Sequence, residues 1–306
     1  LDQVPILSHL IDSYVAVEDW KNANDKQSLI YNIQKQHYGE GNPKLLAPIN
    51  KMVKWHLIAY NRGSSMLHLL SAMDLNSKAI DIIENNYGAD DPRLNETLYR
   101  QALASYHLAE LQNISQPTGF GQPVGLAQTP SRTFPAADNL PTYFNPYRDG
   151  KRALLRRVNL FKSNPQLPVR DQVEALVNLG DWYFLFDKRE SALGIYKEAL
   201  ALLSGDDQNN LVGSIFDRPR ALNFAIPFDD ENTKPDQKKQ MGYVRVKFSV
   251  TPGGRTRNIE VIESNPPDMK DSEVYKSIKH TRYRPRIVDG KPVLAEGVLE
   301  KHIFDY

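Results

Sequence analysis

The clearest hydrophobic pattern in the chain lies near its C-terminus, at 243–250. Apolar and polar residues alternate there, and the apolar ones share one face: Val244, Val246, Phe248 and Val250. Alternation with a period of two, carried by β-branched and aromatic residues, is typical of a strand with one buried face. The sequence TPGG at 251–254 ends the alternation, and its Pro and Gly predict a tight hairpin turn.

The residues after this turn predict a returning strand at 255–264. Ile259 and Val261 would point inward on that strand. Ile262 interrupts the alternation, which indicates either a β-bulge or a second buried face.

A short helix and a closing strand are predicted next. Asp271 is expected to be the N-cap of the helix, and Val274 and Ile278 lie four positions apart on its apolar face. Pro285 cannot continue a helix, and 297–305 is a further extended run. The predicted order is strand, strand, helix, strand.

This ordered set of segments resembles the C-terminal domain of TonB-type energy transducers. The matching segments are 242–250 before the Gly turn, VIES at 261–264, the helix from Asp271, RYRP at 282–285, GKPV at 290–293 and a strand ending in Phe304. The resemblance covers nearly all of 241–306. It implies a periplasmic domain whose exposed strand edge accepts a short extended peptide from an outer-membrane receptor by strand addition.

The same resemblance implies where the partner would bind. The closing strand, 298–305, would be the exposed edge, with 282–285 near it. The partner-binding residues expected from the resemblance are Tyr283, Arg284, Pro285, Val298, Glu300, His302 and Phe304. Alternatively, Tyr283 and Pro285 end the helix and fill the small core. Arg284 and Arg286 are expected to line a solvated face; the alternative is that they pair with acidic residues of a partner.

Residues 1–115 show helical patterns and an internal repeat. HYGEGNPKL at 37–45 matches NYGADDPRL at 86–94. In each copy a helix would end at a Gly, Gly39 or Gly88, in a left-handed cap, and a Pro-led turn would start the next helix. Such a repeat predicts stacked helical hairpins, which resemble degenerate tetratricopeptide repeats.

Residues 148–205 return to helical patterns. Leu179, Gly180 and Tyr183, followed by Ala192, Tyr196 and Ala199, resemble the spacing of one tetratricopeptide repeat, in which small residues let two antiparallel helices approach. The resemblance implies a concave, peptide-binding side formed by Glu174, Val177, Asp181 and Phe184. The alternative is that the next helical unit covers these residues.

Two further segments separate these regions. Residues 116–147 are rich in Pro, Gly and aromatic residues and predict a long loop or strap. Residues 206–240 are mostly polar and predict a linker. The predicted fold is therefore mainly α, with repeat-like hairpins at 1–115 and 148–205, followed by a small α+β domain at 241–306.

Composition and motifs point away from catalysis. The net charge is +1, so there is no electrostatic case for nucleic acid, and cysteine is absent, which excludes disulfides and Cys-ligated metals. No zinc-helix, phosphate-loop or nucleophile-elbow motif occurs. The sequence therefore predicts a protein that is not an enzyme, with no cofactor and no metal. No apolar run is long enough to span a bilayer.

Four hypotheses follow. The first is a periplasmic protein-interaction protein, whose signal peptide or membrane anchor is expected to have been removed. The second is a TonB-family energy transducer for outer-membrane transport whose anchor is missing from this sequence. The third is an envelope scaffold or assembly factor that forms a homodimer through its C-terminal edge strand. The fourth is an enzyme with a site in loop 116–147.

Overall fold

The computed structural model describes residues 1–17, 19–61, 65–114, 145–203, 215–224 and 240–306. These residues form two compact units. The first contains the described residues up to 112, residues 145–164 and Phe224, and the second contains mainly 165–203, 215–223 and 240–306. The predicted fold class, mainly α followed by a small α+β domain, is confirmed.

Helices form the first unit. They are α1 Val4–Ala16, α2 Trp20–Tyr38, α3 Leu46–Asn61, α4 Leu67–Tyr87, α5 Leu94–Ile114 and α6 Pro146–Ser163, with a 3-10 turn at Pro43–Leu45. Each of α1, α2 and α3 packs against the helix that follows it. Helix α6 joins the unit through Leu160, which packs in an apolar cluster with Ile83, Leu94 and Leu98.

The internal repeat of the sequence is also a repeat of helix ends. Helices α2 and α4 stop at Gly39 and Gly88, whose φ angles are 89° and 103°. Asn42 and Asp91 then each accept a hydrogen bond, 2.9 Å long, from the backbone amide two residues later. Positive φ was expected at both glycines, but their ψ angles, 156° and 164°, are extended and lie outside the left-handed helical region.

In the second unit, α7 Val169–Leu185 and α8 Arg189–Leu202 form a helical hairpin. A Cβ atom at Gly180 would lie 2.4 Å from a ring carbon of Tyr196, so only glycine permits this approach. Ala192 and Ala199 are fully buried on the facing helix. The small residues thus have the packing role that their spacing predicts.

The C-terminal domain contains a sheet, one helix and several short strands. Its elements are β2 Met241–Val250, β3 Thr256–Asn265, α9 Asp271–His280, β4 Tyr283–Arg284, β5 Arg286–Val288, β6 Lys291–Val293 and β7 Ala295–Asp305. β2 lies between β3 and β7, antiparallel to both. The predicted inward residues of β2 form the core with Val274 and Ile278 of α9 and with Tyr283.

Two local predictions in this domain have clear outcomes. Ile262 marks a bulge, because Arg245 pairs with Glu263 and the next residue of β2 pairs with Val261. Its side chain is exposed, so the alternative prediction of a second buried face is wrong. Asp271 is not the N-cap: Lys270 occupies that position with a φ of 61°, and the Asp271 carboxylate instead accepts from the Ser264 hydroxyl at 3.3 Å.

The predicted connections are only partly described. Loop 116–147 lies almost wholly outside the described residues. Within the predicted linker, 215–224 contains a strand, β1 Arg220–Ala221, which pairs with β4. Phe216 is fully buried nearby. Residues 215–223 therefore form part of the folded second unit.

The positive φ at Gly88 leads to a stability prediction. A Cβ atom would meet nothing within 4 Å there, so the cost of Gly88→Ala is that of the backbone angle alone. We expect a loss of about 1–2 kcal/mol in the free energy of unfolding, measured by urea denaturation. Gly41→Ala is the matched control, because Gly41 has the same open space without a positive φ. Equal effects of the two changes would contradict this account.

The paired rings of His56 and His68 lead to a prediction about pH. Their Nδ1 atoms lie 2.8 Å apart. Burial, together with the neighbouring His68, lowers the pKa of His56 from 6.5 to about 4. The folded state then binds fewer protons than the unfolded state between these values, so its stability falls as the pH drops through this window. We expect His56→Gln to lose less stability than the wild type between pH 7 and pH 4.5, measured by urea denaturation. An equal loss would disprove the assignment.

Candidate functional site: the free edge of the C-terminal sheet

Strand β7 lies at one edge of the sheet. It pairs with β2 without interruption from Met241↔Asp305 to Phe248↔Val298, and no described residue pairs with its other side. This is the position that the sequence analysis gave to the closing strand.

The register identifies the backbone groups that face away from the sheet. Gln240 and Tyr306 exchange two backbone hydrogen bonds, of 3.1 and 3.0 Å. Because hydrogen-bonded and non-hydrogen-bonded pairs alternate in an antiparallel ladder, the even-numbered residues of β7 bond to β2. The amides and carbonyls of Leu299, Lys301 and Ile303 therefore point toward the free edge.

The side chains of β7 divide between the two faces of the sheet. Val298 and Phe304 pack against the core, and Glu300 accepts a 3.1 Å hydrogen bond from the Tyr283 hydroxyl. His302 lies on the same face, with its Nε2 3.4 Å from Glu300. The β7 residues expected to bind a partner are thus those that face the domain's own core.

The opposite face of β7 contains residues that the sequence analysis did not select. Leu299 and Ile303 are 57% and 61% exposed, and Lys301 lies between them. The sequence contains no signal for this choice, because 298–304 reads VLEKHIF and does not alternate. Each face of the strand has apolar residues at its ends and polar residues between them, so the pattern did not distinguish the outer face from the inner one.

The outer face contains an open concavity of about 360 Å³ beside this strand. Glu263 forms its polar centre: it accepts from the Tyr243 hydroxyl at 2.5 Å and from Arg245 at 2.9 Å. These two hydrogen bonds lower the pKa of Glu263, and the bond from Tyr243 has the larger effect. The Lys301 ammonium lies 4.1 Å from the centre of the Tyr243 ring. The outer face therefore offers fixed charges next to exposed apolar side chains.

The opposite edge of the sheet, β3, is irregular. Its pairing with β2 shifts register twice, once at the bulge of Ile262 and once near Asn258, whose φ is 52°. Bulges and twists of this kind discourage the addition of another strand. Of the two sheet edges, β7 is the one with a regular ladder of outward-facing groups.

The segment 283–285 is buried, which differs from the expectation of a partner-binding surface. Tyr283 and Arg284 are both 1% exposed, and Pro285 is also buried. The expected solvated face is wrong for Arg284, because its guanidinium lies 3.3 Å from the carboxylate of Asp181 in α7. Arg286 is exposed as expected.

The expected concave side of the hairpin is largely covered by its own chain. Val177 and Phe184 are buried, Asp181 is half-buried, and Glu174 is exposed. The Asp181 carboxylate accepts a 2.7 Å hydrogen bond from the Tyr196 hydroxyl as well as facing Arg284. Burial raises the pKa of Asp181, while Arg284 and Tyr196 oppose that rise. The sequence placed Asp181 and Arg284 at two separate candidate binding sites. In the structure the two side chains contact each other.

Metal and membrane features are absent from the described ranges. No three His, Asp or Glu side chains within them are grouped as a metal site would require. None of the helices described there is both long enough and apolar enough to cross a bilayer.

An α+β domain with one regular free edge belongs to the class that can extend its sheet with a strand from another chain. Residues 235–301 match the family model described as Gram-negative bacterial TonB protein C-terminal. The chain is also similar to the protein TonB of Escherichia coli strain K12, at 35% identity over 93 residues. That match covers 30% of this chain and 36% of the relative, so the chain spans about a third of the relative's length. The resemblance predicted for the C-terminal domain is confirmed.

The register of β7 predicts an alternating pattern of amide hydrogen exchange. Amides bonded to β2, at Glu300, His302 and Phe304, should exchange slowly. Amides that face the free edge, at Leu299, Lys301 and Ile303, should exchange rapidly because water reaches them directly. Residue-resolved exchange followed by NMR on the whole chain checks this. Uniform protection along β7 would mean that the edge is covered.

Proposed function

We propose that this chain is a periplasmic protein-interaction protein of the Gram-negative cell envelope. Its TonB-like domain binds an extended segment of an outer-membrane partner as an additional strand along β7. The observation that carries the proposal is the regular, free edge of β7 in a domain that matches the TonB C-terminal family. The activity is binding, without catalysis, cofactor or metal.

The free edge provides the main-chain part of such an interaction. Leu299, Lys301 and Ile303 each direct an amide and a carbonyl outward, in the spacing that an extended peptide matches. Each hydrogen bond formed there contributes about 0.5–1.5 kcal/mol net. Because main-chain bonds are the same for any sequence, they supply affinity but little selectivity.

The outer face provides the side-chain part. Residues of an added strand that lie opposite Leu299 and Ile303 would bury apolar surface against them, and cross-strand pairs of this kind contribute about 0.2–1 kcal/mol each. Lys301, between them, favours an acidic residue in the partner. The β7 residues selected from the sequence lie on the inner face and would hold the strand against the core of the domain. They are Val298, Glu300, His302 and Phe304.

Two further candidates share this edge. A TonB-family energy transducer would use it in the same way, and the 35% identity to TonB favours that form. Fractionation of the full-length gene product separates the two, since a transducer stays in the inner membrane and a periplasmic protein is released with the soluble periplasm. A scaffold that dimerises through β7 would instead sediment as a dimer at high concentration.

Substitution of Lys301 by proline tests strand addition directly. Its amide faces away from β2, so Lys301→Pro removes an outward donor while keeping the ladder to β2. We expect the affinity for short synthetic peptides, copied from periplasm-facing ends of outer-membrane receptors, to fall roughly tenfold or more, consistent with the loss of one or two hydrogen bonds. Isothermal titration calorimetry of the whole chain measures this.

The control is Lys301→Thr, which loses the charge but keeps the amide and favours a strand. Thermal denaturation of both variants verifies that the sheet is intact. If the proline and threonine variants bind the peptides equally well, the added strand does not lie along β7. If no peptide binds the wild type, the partner class is wrong.

A further inference from the structure

The hairpin α7–α8 makes a buried ionic contact with the C-terminal domain inside the second unit. Nη1 of Arg284, in β4, lies 3.3 and 3.4 Å from the two carboxylate oxygens of Asp181. The Tyr196 hydroxyl, from α8, donates to the same carboxylate at 2.7 Å. One carboxylate thus joins both helices of the hairpin to a strand that lies far along the chain.

Apolar packing encloses this contact. Phe184 of α7 is 1% exposed, and a Cβ atom at Gly254 would lie 2.6 Å from its ring, so the β2–β3 turn presses directly on the hairpin. The Phe216 ring lies 5.6 Å from the guanidinium of Arg284. The guanidinium of Arg284 is therefore shielded from water and is not solvated if Asp181 is removed, whereas the Asp181 side chain keeps 16% of its surface accessible.

A second ion pair lies at the rim of the same contact. Arg282 donates to the Asp187 carboxylate at 2.6 Å and to the Gly253 carbonyl at 3.1 Å. Asp187 is half exposed, so this pair contributes less than the buried one. Backbone pairing of β1 with β4 completes the contact, with Arg220 opposite Arg284.

Asp181 is the acidic group that compensates the buried charge of Arg284. Arg220 carries the same charge as Arg284, and Nε and Nη2 of Arg284 find no hydrogen-bond partner among the described residues. A buried guanidinium without a carboxylate is strongly unfavourable. The position of β4 therefore depends on Asp181.

Further side-chain contacts connect β4 to the edge strand β7. Tyr283, next to Arg284, packs against Phe248 with ring centres 5.3 Å apart. Its hydroxyl donates to Glu300 of β7 at 3.1 Å. A displacement of β4 would thus break the hydrogen bond from Tyr283 to Glu300 on the inner face of β7.

We propose that the α7–α8 hairpin is a built-in clasp on the C-terminal domain, in which Asp181 is the positioning residue that holds β4 and, through Tyr283 and Glu300, the edge strand β7. The concave side of the hairpin is then occupied by the chain's own residues Arg284 and Gly254, and takes no peptide from outside. The effect on partner binding rests on the function proposed above, whereas the clasp itself does not.

The test uses the whole chain and two substitutions in the hairpin. Asp181→Ala leaves the guanidinium unpaired, whereas Glu190→Ala, which removes an exposed acidic residue of α8, is the matched control. We expect amide exchange at Glu300, His302 and Phe304 to accelerate at least about a hundredfold in Asp181→Ala, since breaking a buried ion pair is strongly destabilising. Exchange in Glu190→Ala should match the wild type. Unchanged exchange in Asp181→Ala would overturn the clasp.

Milder variants keep the test decisive if Asp181→Ala does not fold. Tyr196→Phe removes only the hydroxyl bond to Asp181 and should accelerate the same amides by about tenfold. Asp181→Asn keeps the shape but removes the charge, so wild-type exchange in this variant would contradict an ionic clasp. The double variant Asp181→Leu with Arg284→Met should restore protection, because apolar residues can replace a buried pair.

Peptide titration of the same variants separates the clasp from the proposed function. Weaker peptide binding by Tyr196→Phe, with accelerated exchange in β7, supports the positioning role of the clasp. Accelerated exchange with unchanged affinity overturns that role. If no peptide binds the wild type, the proposed function fails, and the exchange data still decide whether the hairpin holds β7.

Discussion

The strict alternation of hydrogen bonds along an antiparallel strand is the constraint on which the candidate site depends. Strand β2 is paired on both sides, so β7 can satisfy only half of its backbone groups within the sheet. The other half, at Leu299, Lys301 and Ile303, faces outward whatever the side chains are. Because the β3 ladder contains two register shifts, whereas 298–305 of β7 pairs with β2 without one, the outward-facing groups are regular on only one edge of the three-stranded sheet.

The same domain shows how burial changes the role of a motif. Tyr283 and Arg284 belong to the segment that suggested a partner-binding surface, yet they fill the core and the contact with α7. A buried arginine requires an acidic partner, and Asp181 provides it. These residues therefore contact the edge strand from inside the domain, through the hydrogen bond from Tyr283 to Glu300.

Local patterns were sufficient to predict much of the fold. Period-two alternation predicted β2, the paired glycines Gly39 and Gly88 predicted where two helices end, and Ile262 marked the bulge. Long-range pairing was not predictable in this way. Nothing local indicates that Arg284 meets Asp181, or that β1 joins β4, because each contact is decided by how separate segments pack. Whether the odd- or the even-numbered residues of β7 direct their amides outward likewise depends on the register of β7 with β2.

The resemblance of α7–α8 to a tetratricopeptide hairpin has a different meaning once its surroundings are known. A single hairpin cannot bury its own concave face, and in repeat proteins the neighbouring unit or a ligand covers it. Here the C-terminal domain covers it: Gly254 lies against Phe184, and Arg284 of β4 pairs with Asp181. The apolar surface left exposed in this unit includes Leu299 and Ile303, 57% and 61% accessible, beside main-chain groups with which no strand of the described residues pairs. This is the surface proposed for a partner strand, and the proposed role of the hairpin is to support that surface without being part of it.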